Sequence, residues 1–171
     1  MTEEIILTKE ECDWILSLSG DFTRGGVTHD GKSIEITNYR TCYEYTLENH
    51  QELSNLILNK IKKFNVKSLP SELTIVRYEP GQYFKVHIDS GYGHEYRYRT
   101  VSIQLSDETE YNGGDLMVWL KTIDDVQFAV CASRKIGNVV IFDSSLKHEA
   151  EEILSGTRYA LVFWLKKEDF V

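Results

Sequence analysis

The sequence predicts a mainly β fold, an antiparallel jelly roll or barrel, with helices confined to its N-terminal part. Three observations carry that reading. From Leu73 onward the chain breaks into eight short segments rich in β-branched and aromatic residues and separated by turn residues. Ahead of them, two segments place apolar residues at helical spacing. A length of 171 residues with 42% apolar content fits one domain that can bury its own core without staples.

In chain order, Thr8-Lys9-Glu10-Glu11 has the form of a capping box, with Thr8 as N-cap and Glu11 three residues on, leading into Trp14, Ile15, Leu16 and Leu18 of a short first helix. Residues 34–45 mix β-branched and aromatic side chains with polar ones and predict one strand or a bent pair. Leu53, Leu56, Ile57, Ile61 and Phe64 form one apolar stripe, and Lys60, Lys62 and Lys63 sit where the helix dipole favours cations, so a second helix is expected, packed on a sheet. Strands follow at 73–78, 83–89, 100–105, 116–120, 127–131, 138–142, 148–153 and 158–165. Trp119, Phe128, Phe142, Phe163 and Trp164 are assigned to the core, and Gly113-Gly114 to a turn that tolerates positive φ. Glycine and tyrosine concentrate in the 90–99 loop, a candidate site for substrate contacts.

His87-Ile88-Asp89, followed by His148 and then Arg158, is the chemically informative constellation. Residues i and i+2 of an extended segment point to one side, so His87 and Asp89 can grip one ion, with His148 arriving from a neighbouring strand. Two imidazoles and one carboxylate can bind one face of a divalent metal and leave the other face open, as in non-haem Fe(II) oxygenases. A bare His-x-Asp is weak evidence in a chain with five histidines. Its surroundings supply the specificity. His29, His50 and His94 have no partners at ligand spacing and read as ordinary surface or core residues.

Those surroundings resemble the Fe(II)- and 2-oxoglutarate-dependent dioxygenases, in their prolyl 4-hydroxylase-like branch. The segment from Arg77 through Tyr78, Pro80-Gly81 and Tyr83 to Asp89, then Tyr111-Asn112-Gly113-Gly114-Asp115-Leu116, then Gly137–Phe142, His148 and Gly156–Trp164, follow in the family's order across about residues 73–165. The resemblance implies a double-stranded β-helix core over 73–165, helices packed against one sheet, and residues 1–72 as support. It also implies His87, Asp89 and His148 as iron ligands, and Fe(II), 2-oxoglutarate, O2 and ascorbate as cofactor, cosubstrates and reductant. Arg158 matches the basic residue that holds the distal carboxylate of 2-oxoglutarate, a role suited to a guanidinium fork that stays cationic at any working pH. Tyr78 matches a position lining the cosubstrate pocket. Thr100, Ser102 and Gln104 alternate on one strand face, and Thr100 and Gln104 are assigned to cosubstrate binding, although several relatives have tyrosine where Gln104 stands. Asp89 favours hydroxylation over halogenation, because related halogenases carry a small residue there. The implied reaction couples decarboxylation of 2-oxoglutarate to hydroxylation of a peptidyl residue, proline foremost, or of a free amino acid or small molecule.

Competing classes fit less well. A zinc hydrolase has no His-Glu-x-x-His here and gives Arg158 no purpose. A metal-binding jelly roll without turnover is separated from an enzyme only by assay. The nucleic-acid demethylases have a second arginine six residues after the cosubstrate arginine, where this chain has Trp164. A net charge of −8 likewise disfavours polyanions, unless Arg97, Arg99, Arg77 or Arg134 form a local patch. Tyr92, Tyr96, Arg97 and Arg99 are the expected substrate contacts. Three scattered cysteines outside any Cys-x-x-Cys pattern, an acidic start and the lack of a long apolar run point to a cytoplasmic protein that engages no membrane.

Overall fold

The computed structural model describes residues 1–29, 32–34, 38–91 and 93–171. In chain order its elements are β1 (Thr2–Ile5), α1 (Lys9–Ser17), β2 (Thr23–Arg24), β3 (Val27–His29), β4 (Lys32–Ile34), β5 (Tyr43–Glu48), α2 (Gln51–Ile61), β6 (Glu72–Tyr78), β7 (Phe84–His87), β8 (Arg99–Gln104), β9 (Tyr111–Gly113), β10 (Leu116–Lys121), β11 (Gln127–Cys131), β12 (Asn138–Asp143), β13 (His148–Ala150), β14 (Ile153–Gly156) and β15 (Arg158–Leu165). A seven-stranded antiparallel sheet runs β1-β12-β8-β15-β6-β5-β2 and packs against a four-stranded sheet, β11-β10-β13-β7. This is the jelly-roll arrangement expected from the strand pattern.

Alternation decides what each face of the large sheet does. Leu73 and Ile75 of β6, Val101 and Ile103 of β8, Val139 and Ile141 of β12, and Leu161 and Phe163 of β15 share one buried cluster with Cys12 and Ile15 of α1 and Leu53, Ile57 and Ile61 of α2. Both helices therefore cover the same sheet face, as their stripes predict. Their intervening neighbours, Thr74, Val76 and Tyr78, Thr100 and Ser102, and Ala160, Val162 and Trp164, face the interior between the sheets, where a cavity opens. One face is thus structural and the other is free for chemistry.

The helix starts behave as read. Thr8 Oγ1 accepts from the Glu11 amide at 3.2 Å, while the Thr8 amide donates to Glu11 Oε2 at 2.9 Å. Glu11 also pairs with Lys60 at 2.8 Å, tying α1 to α2. His50, read as an ordinary residue, is the N-cap of α2, its Nδ1 accepting from the Leu53 amide at 3.2 Å.

Several boundaries moved. The strand expected over 83–89 stops at His87, because the amides of Asp89 and Ser90 both donate to the Ser144 carbonyl instead of to a neighbouring strand. The strand expected over 148–153 is two, β13 pairing with β10 and β7 but β14 with β9, since the chain crosses over at Glu151 and Glu152. Within 34–45, β4 ends at Ile34 and β5 begins at Tyr43. Residues 35–37 lie outside the described residues, and Tyr39 and Thr41 bond to Lys85 and Tyr83 beside β7. Phe142 and Phe163 are core, but Phe128 is 45% exposed on edge strand β11, Trp119 is half-buried, and Trp164 faces the cavity.

Candidate active site

A cavity of about 1100 Å³ lies between the sheets. His87 ends β7 and His148 begins β13, and the two stand directly opposite each other in the antiparallel register. Asp89 follows on the chain leaving β7, anchored by its amide on Ser144. Its carboxylate oxygens lie 3.6 Å from His87 Nε2 and 3.2 Å from His148 Nε2, and the three ligand atoms fall within 4.8 Å of one another.

Three ligand atoms about 2.1 Å from one ion and at right angles to each other are separated by about 3 Å, so this spacing fits one metal with little movement. The surrounding contacts fit it too. His87 Nδ1 donates to the Lys85 carbonyl at 2.7 Å and His148 Nδ1 to the Leu146 carbonyl at 3.0 Å, which leaves both Nε2 lone pairs directed inward. Phe84 stacks on the His87 ring at 3.5 Å between centroids and fixes its plane. Thr100 Oγ1 donates to Asp89 Oδ2 at 2.7 Å and lies 3.0 Å from Ser144 Oγ. Burial acts to raise the Asp89 carboxyl, but the flanking imidazoles outweigh it and hold it well below the usual carboxylate range. Burial lowers His87, whereas the Asp89 carboxylate outweighs burial at His148 and raises it. Together these make a ready anionic socket for a divalent cation.

Arg158, the first residue of β15, is 5% exposed and borders the same cavity. Its Nε donates to Gln104 Oε1 at 3.1 Å, and Gln104 Nε2 in turn donates to the Tyr111 hydroxyl at 3.0 Å. Gln104 therefore aims Arg158 through one guanidinium nitrogen. Tyr78, opposite Arg158 across the β15–β6 register, is buried with its ring centroid 5.8 Å from the guanidinium carbon, and burial raises its phenol so that it stays neutral. Gly113 and Gly114 have φ of 73° and 67°, and a Cβ on Gly114 would come within 2.1 Å of Ile153 Cδ1 and 3.6 Å of Arg158 Cδ. The paired glycines let β9 approach the arginine.

Of the loop residues singled out as substrate contacts, Arg97 lines the cavity, stacked 3.6 Å above the Trp164 ring, with its Nη1 donating to the Asp89 carbonyl at 3.3 Å. Arg99 instead pairs with Asp143 at 2.7 Å, Tyr96 is 53% exposed, and Tyr92 lies outside the described residues. The four arginines weighed as a local patch do not gather: of them only Arg97 borders the cavity, while Arg77 sits over Phe22 and Tyr43 on the helix side and Arg134 stacks on Tyr111. His94 does line the cavity, whereas the His29 side chain lies outside the description.

Residues that sequence reasoning passed over support the site. Arg40 lies 4.6 Å over the Phe84 ring, donates to the Gly26 carbonyl at 2.7 Å and pairs with Glu44. Ser144 holds Asp89 through its carbonyl and Thr100 through its hydroxyl. No periodicity marks such residues, because their roles depend on contacts between distant strands.

The family model for the 2OG-Fe(II) oxygenase superfamily matches residues 73–166, more than half of the chain. The chain belongs to the 2OG-Fe(II) oxygenase superfamily. Among curated relatives, a PKHD-type hydroxylase from Synechococcus sp. is 31% identical over an alignment of 134 positions that covers 71% of this chain and 58% of that one. A PKHD-type hydroxylase from Acinetobacter baumannii is 28% identical over 170 residues, 92% of this chain and 69% of that one. This chain thus spans about three fifths to two thirds of their lengths. Among solved structures, a Pseudomonas putida prolyl-4-hydroxylase superposes with a TM-score of 0.67 at 19% identity, covering 97% of this chain and 92% of that one. A Trichoplax adhaerens prolyl hydroxylase in complex with a peptide fragment of the hypoxia inducible factor oxygen degradation domain superposes with 0.70 at 18% identity, covering 93% and 76%. At these identities the structures establish the fold alone.

Proposed function

We propose that this chain is an Fe(II)- and 2-oxoglutarate-dependent dioxygenase that hydroxylates a C–H bond of a peptidyl residue, proline foremost, with release of succinate and CO2. The observation that carries the reading is the convergence of His87, Asp89, His148 and Arg158 on one cavity. Family membership and hydroxylase relatives support it. The peptide bound by the Trichoplax adhaerens enzyme supports the substrate class by analogy.

In this reading His87, Asp89 and His148 hold Fe(II), which supplies activation of O2 coupled to oxidative decarboxylation of 2-oxoglutarate. The chain's own residues do the rest. Thr100 holds the Asp89 carboxylate in place and is itself bonded by the Ser144 hydroxyl, and the carbonyls of Lys85 and Leu146 keep both imidazoles in the tautomer that presents Nε2. Arg158 receives the distal carboxylate of 2-oxoglutarate on the nitrogens that Gln104 leaves free. The neutral Tyr78 phenol stands ready to donate to the same carboxylate. Val76, Ala160 and Val162 make that pocket apolar and keep water from competing for the fork. Residues 73–165 are proposed as the catalytic core and residues 1–72 as its support, which covers the outer sheet face with α1 and α2 and lengthens the sheet with β1, β5 and β2.

Ascorbate is proposed as the external reductant. Cytoplasmic residence is proposed on the three free cysteines. The test is 2-oxoglutarate turnover with Fe(II), with and without ascorbate, against proline-containing peptides, free amino acids and single-stranded nucleic acid. Succinate release and a gain of about 16 Da on a peptide proline, one added oxygen, support the reading. No succinate above the metal-free control with any of these sets it aside.

A further inference from the structure

The charges lining the cavity run against those of the chain. Among the described residues Arg40, Lys85, Arg97, Lys147 and Arg158 border it, against only Glu44 and Asp89, although the chain holds 27 acidic and 19 basic residues. Both acids are engaged, Glu44 with Arg40 and Asp89 between the two imidazoles. Arg158 is assigned to the cosubstrate above. Three cations remain: Arg97, Lys85 and Lys147, none of which has an acidic side chain in ion-pair contact among the described residues.

Arg97 is the most telling of the three, because it is half-buried on the cavity wall and stacked on Trp164 rather than directed into solvent. A partly buried charge with no carboxylate in ion-pair contact is better satisfied when an anion that visits the site supplies one. Its Nε has no hydrogen-bond partner, and neither has Trp164 Nε1, on the ring it stacks against, nor His94 Nε2; all three residues line the cavity. Lys85 precedes His87 by two residues and Lys147 precedes His148 by one, so both exposed ammonium groups flank the candidate metal ligands at the rim. A low-dielectric cavity walled by one sign of charge attracts the opposite sign even when the whole molecule repels it.

We propose that the substrate of this oxygenase carries a carboxylate close to the carbon to be hydroxylated, and that Arg97 seats it, with Lys85 and Lys147 drawing it in. The proposal rests on the dioxygenase reading above and narrows its substrate class. The carboxylate belongs either to an acidic side chain beside the target residue in a peptide or to the target residue itself as a free amino acid, and the two sources are separable. Arg97 is then a specificity-determining residue, reaching the reacting region through its bond to the Asp89 carbonyl.

The experiment uses the full chain, with Mn(II) and 2-oxoglutarate binding measured first and equilibrium binding of two matched pairs second. One pair is a capped peptide containing Glu-Pro-Glu and its Gln-Pro-Gln counterpart; the other is free L-proline and L-prolinamide. The acid member of one pair is expected to bind about tenfold more tightly or better, the range of a charge-assisted hydrogen bond. That preference should shrink between about 20 mM and about 500 mM salt. Arg97→Gln should bring the ratio close to one and Arg97→Lys should retain part of it. Should Arg97→Gln fail to fold, the exposed double change Lys85→Gln with Lys147→Gln should still lower the wild-type ratio about threefold. Equal affinity for acid and amide in both pairs, with normal Mn(II) and 2-oxoglutarate binding, overturns the proposal and leaves the dioxygenase reading intact. Tighter binding of single-stranded DNA than of either acid also overturns it. Failure of Mn(II) and 2-oxoglutarate to bind overturns the dioxygenase reading itself, and with it the proposal that rests on it.

Discussion

At the scale of single residues, the site depends on side chains that hold other side chains. Arg158→Ala removes the fork proposed for the distal carboxylate and should raise the 2-oxoglutarate requirement by about an order of magnitude or more, with Arg158→Lys milder because it keeps the charge and loses the geometry. Gln104→Leu leaves Arg158 Nε without its acceptor and should raise the same requirement by several-fold, measured as an apparent KM with Fe(II) constant. Thr100→Val deprives Asp89 of its 2.7 Å donor and should weaken Mn(II) binding about 10- to 100-fold by titration. The sequence foresaw His87, Asp89, His148 and Arg158 at one site chiefly through the family resemblance of their surroundings, since a bare His-x-Asp at strand spacing is a weak signal, and all four border one cavity. It did not foresee that Thr100 and Gln104 would touch Asp89 and Arg158 directly, since those bonds bridge strands 11 and 54 residues apart. Trp164 was misassigned to the core because an apolar residue on an inner strand face looks the same whether it fills space or lines it. Among the thiols, burial pushes Cys12 up to about 12 and encloses Cys42, so Cys131 should be the first to react with a thiol reagent under native conditions, as peptide mapping can read out.

At the scale of elements, period-two and helical patterns were legible wherever one face is buried. α2 is the clearest case: Leu53, Ile57 and Ile61 are fully buried against the large sheet. Ile57→Ala should cost about 2–5 kcal/mol and lower Tm by roughly 5–15 °C in a chain of this length, with Mn(II) affinity unchanged because the helix covers the face opposite the cavity. Thr8→Ala should cost about 1 kcal/mol by removing the reciprocal cap of α1. Short strands were less legible. β2, β3, β9 and β14 have two to four residues each and too few positions to show a period. β7 ends early, for its last expected residues bond to the Ser144 turn, a partner more than fifty residues ahead. Residues 38–42 leave the large sheet to meet β7, which brings Arg40 over Phe84, and local composition carries no trace of that crossing.

At the scale of the whole molecule, the fold separates stability from chemistry. The helix-covered face of the large sheet supplies the main core, and the opposite face supplies a wall of mixed polar and apolar side chains to a cavity bounded by the second sheet. Acidic overall charge coexists with a cationic cavity, so bulk electrostatics and site electrostatics point in opposite directions, and the net charge of −8 alone gives a poor account of what enters. The central claim is that His87, Asp89 and His148 form one metal site within that cavity. It is tested most directly by titrating Mn(II), a redox-inert stand-in for Fe(II), into the wild type and into His87→Ala, Asp89→Ala and His148→Ala, each shown to be folded by circular dichroism. The account predicts one Mn(II) per wild-type chain, bound more tightly with 2-oxoglutarate present, and affinity reduced by about two orders of magnitude or more in every variant. Stoichiometric Mn(II) binding that survives all three substitutions unchanged would contradict it.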